Sequence, residues 1–306
     1  MSTLARMLNT RIGLLLCAVT AATLLSGCTA GSDPHVCQWQ TKKLRVIRGF
    51  RHPECAVPDP VTGKIFASNM TFDTNAELPA RYWGDDGTGS ISMMSDTKLE
   101  KPEWAVSNDK GTFDSPKGLC ILGRQLWVAD NHQVIVIDID TGKPVETIEI
   151  LGAKYLNDMA SDGKYAYAAD TSNGRITRVG PGPMKHYKGP ASANGIGFRN
   201  GKLYCASWGE HDIFEIDMSG KEEAKSVGLA DQFKGLDAIE ALPDGSFLVS
   251  DQPNNRIAWV SADFKKVETI GEVNQPADFG IDLKKGLIYA PTFFDNTVTV
   301  FSLKRK

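Results

Sequence analysis

Residues 192–207 read Ser192-Ala193-Asn194-Gly195-Ile196-Gly197-Phe198-Arg199-Asn200-Gly201-Lys202-Leu203-Tyr204-Cys205-Ala206-Ser207. A polar residue, Asn194, precedes a short alternating apolar run. Asn200-Gly201 then breaks the pattern before a second apolar run. Asn-Gly between two such runs is a strong short-range signal for a tight hairpin. The phrase recurs along the chain. It is found as Pro53-Glu54-Cys55-Ala56 followed by Ile65-Phe66-Ala67-Ser68-Asn69, and as Pro116-Lys117-Gly118-Leu119 followed by Leu126-Trp127-Val128-Ala129-Asp130. It returns as Leu156-Asn157-Asp158-Met159 before Ala166–Asp170, as Leu236-Asp237-Ala238-Ile239 before Phe247–Asp251, and as Ala277-Asp278-Phe279-Gly280 before Ile288–Pro291.

The polar anchors are Glu54, Lys117, Asn157, Asn194, Asp237 and Asp278, separated by 63, 40, 37, 43 and 41 residues. A period near 40 with several strand-like runs per repeat is that of a propeller blade of four strands. The expectation is an all-β, six-bladed β-propeller. The long first interval carries a polar, Gly-rich insertion at 78–89, with Tyr82 and Trp83. Outer strands are expected at 133–138, 174–179, 212–217, 255–260 and 296–301. The run at 43–50 is read as a strand that completes the last blade, protecting an edge that would otherwise stay unpaired.

The N-terminal segment has another composition. Arg6 and Arg11 precede the apolar run 12–25, too short for a comfortable membrane span, and Leu25-Ser26-Gly27-Cys28 follows. This ending resembles a bacterial lipobox. The resemblance implies a signal peptide at 1–27, acylation of Cys28, a tether over 28–42 and a propeller domain over 43–306. Thr29, where an inner-membrane retention signal usually places Asp, points to a lipid-anchored protein of the outer membrane facing the periplasm. Export would expose Cys37, Cys55, Cys120 and Cys205 to oxidising conditions. A bridge between Cys37 and Cys55 is one expectation, buried thiols another.

A net charge of −3 gives no general attraction to nucleic acid or anionic membrane. The chain has no GxxxxGK[ST], no GxGxxG at a strand–helix junction, no HExxH and no CxxC. The commonest nucleotide, zincin and thiol-redox sites are thereby removed.

In a propeller the start of each innermost strand rings the mouth of the central channel. The six anchors would therefore converge as an oxygen-rich ring with one cation in it. Glu, Asp and two Asn suit Ca²⁺, which takes six to eight oxygens in flexible geometry. They suit Zn²⁺ poorly, since the ring has neither His nor Cys.

The order Glu, Asn, Asn, Asp over blades 1, 3, 4 and 5 resembles the metal site of the senescence marker protein/gluconolactonase family. It also resembles that of the related calcium-dependent phosphotriesterases. The matching contexts are His-Pro-Glu54-Cys, Leu-Asn157-Asp-Met-Ala, Ala-Asn194-Gly-Ile-Gly-Phe and Leu-Asp237-Ala-Ile. The resemblance implies Glu54, Asn157, Asn194 and Asp237 as metal ligands. It also implies Asp237 and Asn157 in catalysis, and a lactone or related ester as the small-molecule substrate. Asp237 would orient or deprotonate a water, or attack directly. The chain departs from the family in having Glu54-Cys55-Ala56 where Glu-Gly-Pro is usual, and no matching substrate Arg is placed. Asp158, next to Asn157, is an equal candidate to face the axis. His52, beside Glu54, is the histidine best situated to act as a general base. The competing reading is a non-catalytic propeller resembling the NHL-repeat class, binding a protein or cell-envelope partner. A quinone-dependent dehydrogenase fits less well, because the anchors lack Arg, Gln and His.

Overall fold

The computed structural model describes residues 35–70, 84 and 86–306. The expected signal peptide, Cys28 and most of the 78–89 insertion, with Tyr82 and Trp83, lie outside the described residues. In chain order the strands are β1 (Trp39–Arg48), then β2 (Pro53–Pro58), β3 (Ile65–Asn69), β4 (Ser90–Met94) and β5 (Leu99–Ala105). Next come β6 (Pro116–Leu122), β7 (Gln125–Asp130), β8 (Gln133–Asp138) and β9 (Lys143–Glu149), followed by β10 (Leu156–Ser161), β11 (Ala166–Asp170), β12 (Arg175–Gly180) and β13 (Lys185–Lys188). The remainder are β14 (Ala193–Arg199), β15 (Lys202–Ser207), β16 (Ile213–Ile216), β17 (Lys225–Ser226), β18 (Leu236–Ala241), β19 (Phe247–Asp251), β20 (Arg256–Val260), β21 (Val267–Glu272), β22 (Asp278–Asp282), β23 (Leu287–Thr292) and β24 (Thr297–Arg305).

Four groups of four consecutive strands, beginning at β6, β10, β14 and β18, form antiparallel sheets of their own. The first and last groups are joined by a parallel pairing of β2 with β22, in the order β1-β24-β23-β22-β2-β3-β4-β5. The inner strands β2, β6, β10, β14, β18 and β22 each pack on the next, and β22 returns to β2. The molecule is a closed β-propeller of six four-stranded blades. β1 pairs antiparallel with β24 from Trp39↔Arg305 to Arg48↔Thr297, so the N-terminal strand completes the last blade as expected. It begins four residues before the predicted Lys43. Gln38–Lys42, assigned to the tether from sequence, therefore belongs with the propeller, where Trp39 is buried and its Nε1 donates to Asp244 Oδ2 at 2.6 Å.

The core consists of six apolar seams between neighbouring blades. Phe66, Ile91, Leu119 and Leu126 fill the seam between blades 1 and 2, and Trp127, Val134, Met159 and Ala166 the next. Successive residues of a second strand point to opposite faces, so Leu126 enters one seam and Trp127 the other. Likewise Leu203 lies between blades 3 and 4 and Tyr204 between blades 4 and 5. Both faces of each blade are covered, which is why these runs read as continuously apolar. The last seam, with Tyr289 and Val298 against Ile65 and Met94, closes the circle.

Cys37, Cys55, Cys120 and Cys205 are buried free thiols, and the Cys37–Cys55 bridge is not formed. Cys37 packs with Trp39 and Leu303 on the last blade, whereas Cys55 lies in the seam between blades 1 and 2. The turn at Asn200-Gly201 has positive φ at both residues, 52° and 75°, as a two-residue hairpin of this kind requires.

The start of β1 and the end of β24 share one rim. Trp39 sits by Asp244, in the turn between β18 and β19, and Lys306 N donates to Gln38 O at 2.7 Å. Inner strands start at the opposite rim and end at this one.

Candidate functional site

In five blades the anchor residue stands at the same irregularity. Each inner strand pairs once with the end of its neighbour, skips two residues against one, and then resumes the ladder. The skipped pairs are Glu54-Cys55, Lys117-Gly118, Asn157-Asp158, Asn194-Gly195 and Asp237-Ala238. A two-against-one bulge bends its strand and re-aims a side chain, and bulges of this type recur beside functional sites. It also leaves backbone N–H groups without ladder partners. Ser68 Oγ accepts from Cys55 N at 3.0 Å, and Ser250 Oγ from Ala238 N at 2.7 Å. In blade 6, Asp278 is the first residue of β22, and the ladder to β23 starts only at Gly280↔Tyr289.

Glycine makes the convergence possible. A Cβ on Gly195 would lie 2.1 Å from Asp237 O, and one on Gly118 would lie 2.3 Å from Asp158 Cα. No side chain fits where the inner strands approach this closely.

The bulges bring Glu54, Asn157, Asn194 and Asp237 to the wall of one cavity of about 1050 Å³. All four are buried. Of the ring's other two members, Lys117 and Asp278 do not line the cavity. Lys117 is wholly buried, its Nζ donating to Ser115 O at 2.8 Å and Asn131 Oδ1 at 3.0 Å, 4.6 Å from the Tyr155 ring centroid.

The neighbours Asn157 and Asp158 have different tasks. Asn157 lines the cavity, whereas Asp158 accepts from Met159 N at 2.6 Å and from Ile196 N in blade 4 at 2.7 Å. Asp158 also shares a hydrogen bond with Asp278. It thus ties two blades together below the cavity.

Burial and mutual repulsion dominate the electrostatics. Desolvation, reinforced by Asp237 and Asp158 and opposed by Lys117, lifts the Glu54 carboxyl well above its usual range. Asp237 is pushed up to about 7 by desolvation and by Asp158, against a hydrogen bond from Asn194. Asp158 also reaches about 7, chiefly through burial. Asp278 rises well above its usual range through burial and the Asp158 and Glu54 charges. Glu240, three residues along β18 from Asp237, is pushed up to about 8 by desolvation and Asp158. Burial lowers Lys117 to about 8 against the pull of Asp130 and Glu54. A crowd of buried acids shifted upward is an environment short of positive charge.

Three buried oxygens in the cavity, Glu54 Oε2, Asn157 Oδ1 and Asn194 Oδ1, have no hydrogen-bond partner. Buried polar atoms are rarely left so, and three acceptors together fit an oxygen-seeking cation. Asp237 Oδ2 accepts from Gln252 Nε2 at 3.2 Å. Among the described residues, no three His, Cys, Asp or Glu side chains are grouped to hold a metal by themselves. The set that fits is two carboxylates and two amide oxygens.

Among the described residues, no histidine lines this cavity. His52 borders a second pocket of about 270 Å³ with Phe50, Asn69, Thr88 and Asn296, which meets the cavity only at Met70 among the described residues, and its imidazole is shifted downward by burial. The expectation that His52 serves the ring as a general base does not match this placement. Its φ of 51° turns the chain there, and its N–H donates to Asn296 Oδ1 at 2.7 Å. Gln252, Tyr155 and Trp208, all on the cavity wall, were not singled out from sequence. Tyr155 and Trp208 come from loops and Gln252 from a short 3-10 turn after β19, and their spacing carries no motif.

The chain matches virginiamycin B lyase from Staphylococcus aureus, solved as a catalytically inactive variant with quinupristin, at 15% identity and a TM-score of 0.55. That match covers 86% of this chain and 99% of the lyase. It matches a luciferin-regenerating enzyme at 12% identity and a TM-score of 0.60, over 86% of this chain and 94% of that one. What they share is the propeller. No protein-family model matches the chain, and no curated relative does.

Proposed function

We propose that this propeller is a hydrolase of lactones or related esters that works with a divalent cation, Ca²⁺ by its donor set, held by Glu54, Asn157, Asn194 and Asp237. The observation that carries the reading is the trio of unpartnered buried oxygens on Glu54, Asn157 and Asn194, facing a cavity that Asp237 shares. A propeller that served only as a docking scaffold would gain nothing from three desolvated acceptors at its axis. When bound, the cation would polarise a carbonyl oxygen and stabilise the charge developing on it.

The chain's own residues supply the rest. Asn194 and Gln252 each donate a hydrogen bond to Asp237, fixing the carboxylate's orientation. With no histidine among the described wall residues, Asp237 is the group placed to take a proton from an attacking water. Asn157 offers its amide to the cation or to the substrate oxygen. The bulges hold all four side chains on sheet, so the site does not have to assemble from mobile loops.

Calorimetry with Ca²⁺ on the purified protein tests the metal. The expected affinity is micromolar or tighter, about −8 kcal/mol or better. Asp237→Ala is expected to weaken it by about a hundredfold, roughly 2.7 kcal/mol. A folded wild type that takes up no Ca²⁺ would sink the metal-hydrolase reading and leave a binding scaffold.

A further inference from the structure

The cavity extends well beyond the four anchors. Its described lining comes mostly from blades 3 and 4 and the connection between them, with Tyr155, Gly174, Gly189, Ala191, Ser192 and Trp208 among it. Among the described residues, blade 1 contributes Glu54 and Met70, and blade 5 Asp237 and Gln252. From the polar axis the cavity therefore runs outward as a trough over the junction of blades 3 and 4.

The trough is built to stay open. Gly189 N donates to Gly174 O at 2.8 Å, bringing two glycine backbones together along it. A Cβ on Gly174, whose φ is +57°, would lie 2.9 Å from Pro190 O, and one on Gly189 would lie 3.2 Å from Gly174 O. Ala191 and Ser192 continue this low surface. Larger planar side chains rise beside it. Tyr155 is steadied by the buried Lys117 ammonium over its ring, and Trp208 is fixed by its backbone N–H to Ser192 O at 3.1 Å. The indole also stands against Gly235, where a Cβ would lie 3.1 Å from the ring. At the outer end Lys188 and Glu223 pair across the two blades.

We infer that this trough is a recognition subsite for a flat, apolar arm of the substrate, with Trp208 and Tyr155 as its aromatic walls. The inference rests on the hydrolase reading above and narrows its substrate class. A volume of about 1050 Å³ is at the upper end of pockets that take drug-sized ligands, and far more than a single small lactone ring needs. Rigid aromatic walls contribute binding area at little entropic cost and favour stacked or edge-on rings. The preferred substrate is thus a lactone or ester carrying an aromatic substituent beyond the reacting carbonyl.

The test uses the full chain and γ-phenyl-γ-butyrolactone against unsubstituted γ-butyrolactone. Ala191→Phe is the principal variant, because Ala191 is exposed, its carbonyl alone is used in a hydrogen bond, and a phenyl group there would fill the trough. Wild type should favour the phenyl lactone at least tenfold in kcat/KM. Ala191→Phe should abolish that preference, read as the ratio of the two kcat/KM values, and Trp208→Ala should weaken it too. Equal rates on both lactones in wild type, or a preference that survives Ala191→Phe, would overturn the subsite. If neither lactone is hydrolysed, the hydrolase reading fails by itself, and calorimetry with 2-naphthylmethanol decides the trough separately. Binding by wild type that Ala191→Phe removes supports the trough, and absence of binding overturns it.

Discussion

Asp278 and Asp158 show what the axis costs the protein when no cation balances it. Burial and the neighbouring Asp158 and Glu54 charges shift Asp278 well above its usual range, and Asp158, Asp237 and Glu54 are shifted upward too. The unfolded chain ionises the same groups near pH 4. Between about pH 4 and 7 the folded state therefore binds more protons than the unfolded one, and stability falls as pH rises. In chelator, the melting temperature should decline across that window. Added Ca²⁺ should recover most of the loss at pH 7, and Asp278→Asn should flatten the slope. A melting temperature that climbs from pH 4.5 to 7 in chelator would contradict this account. At this scale the sequence was informative about four residues and ambiguous about one. Asn157 and Asp158 are adjacent polar residues, and only the bulge, which sets the direction of each, separates the cavity residue from the blade tie.

The inner strand is the element on which both fold and site depend. Its existence could be read from the recurrent phrase, because an apolar run after a polar anchor and before a turn is a local pattern. The bulge could not. Two residues opposing one is a property of a strand pair, and Gly118, Gly195 and Cys55 at the second bulged position share no side-chain chemistry that would announce it. What Gly118 and Gly195 share is the lack of a side chain where the next blade's backbone passes. Gly195→Ala should accordingly cost about 3 kcal/mol through overpacking against Asp237 O. Gly123→Ala, at φ +63° with nothing nearby, should cost only about 1 kcal/mol from backbone conformation. Urea denaturation of the two variants compares the mechanisms directly, and equal losses would remove the close-approach argument. The trough was missed for a similar reason. Gly174 was read as the start of an outer strand and Gly189 was not singled out, and nothing local says that they face each other.

Across the whole molecule, the near-40-residue period sufficed for the closed ring of blades, since each repeat must bury both faces against its neighbours. The start of β1 was misplaced by four residues because Trp39 and Thr41 are followed by two lysines that resemble a tether, although pairing with β24 tolerates them on an exposed outer strand. The lipid anchor proposed from Leu25-Ser26-Gly27-Cys28 also belongs to this scale. In a bacterial host the chain should fractionate with membranes and carry acyl mass on Cys28, and Cys28→Ser should leave it in the soluble fraction. An unmodified Cys28 on a membrane-free wild-type protein would end that proposal.

The two ends of the propeller, Gln38 and Lys306, meet at the rim away from the inner-strand starts. A reporter protein or a bead joined after Lys306 leaves from the floor of the ring. The cavity mouth then looks outward, toward whatever diffuses past.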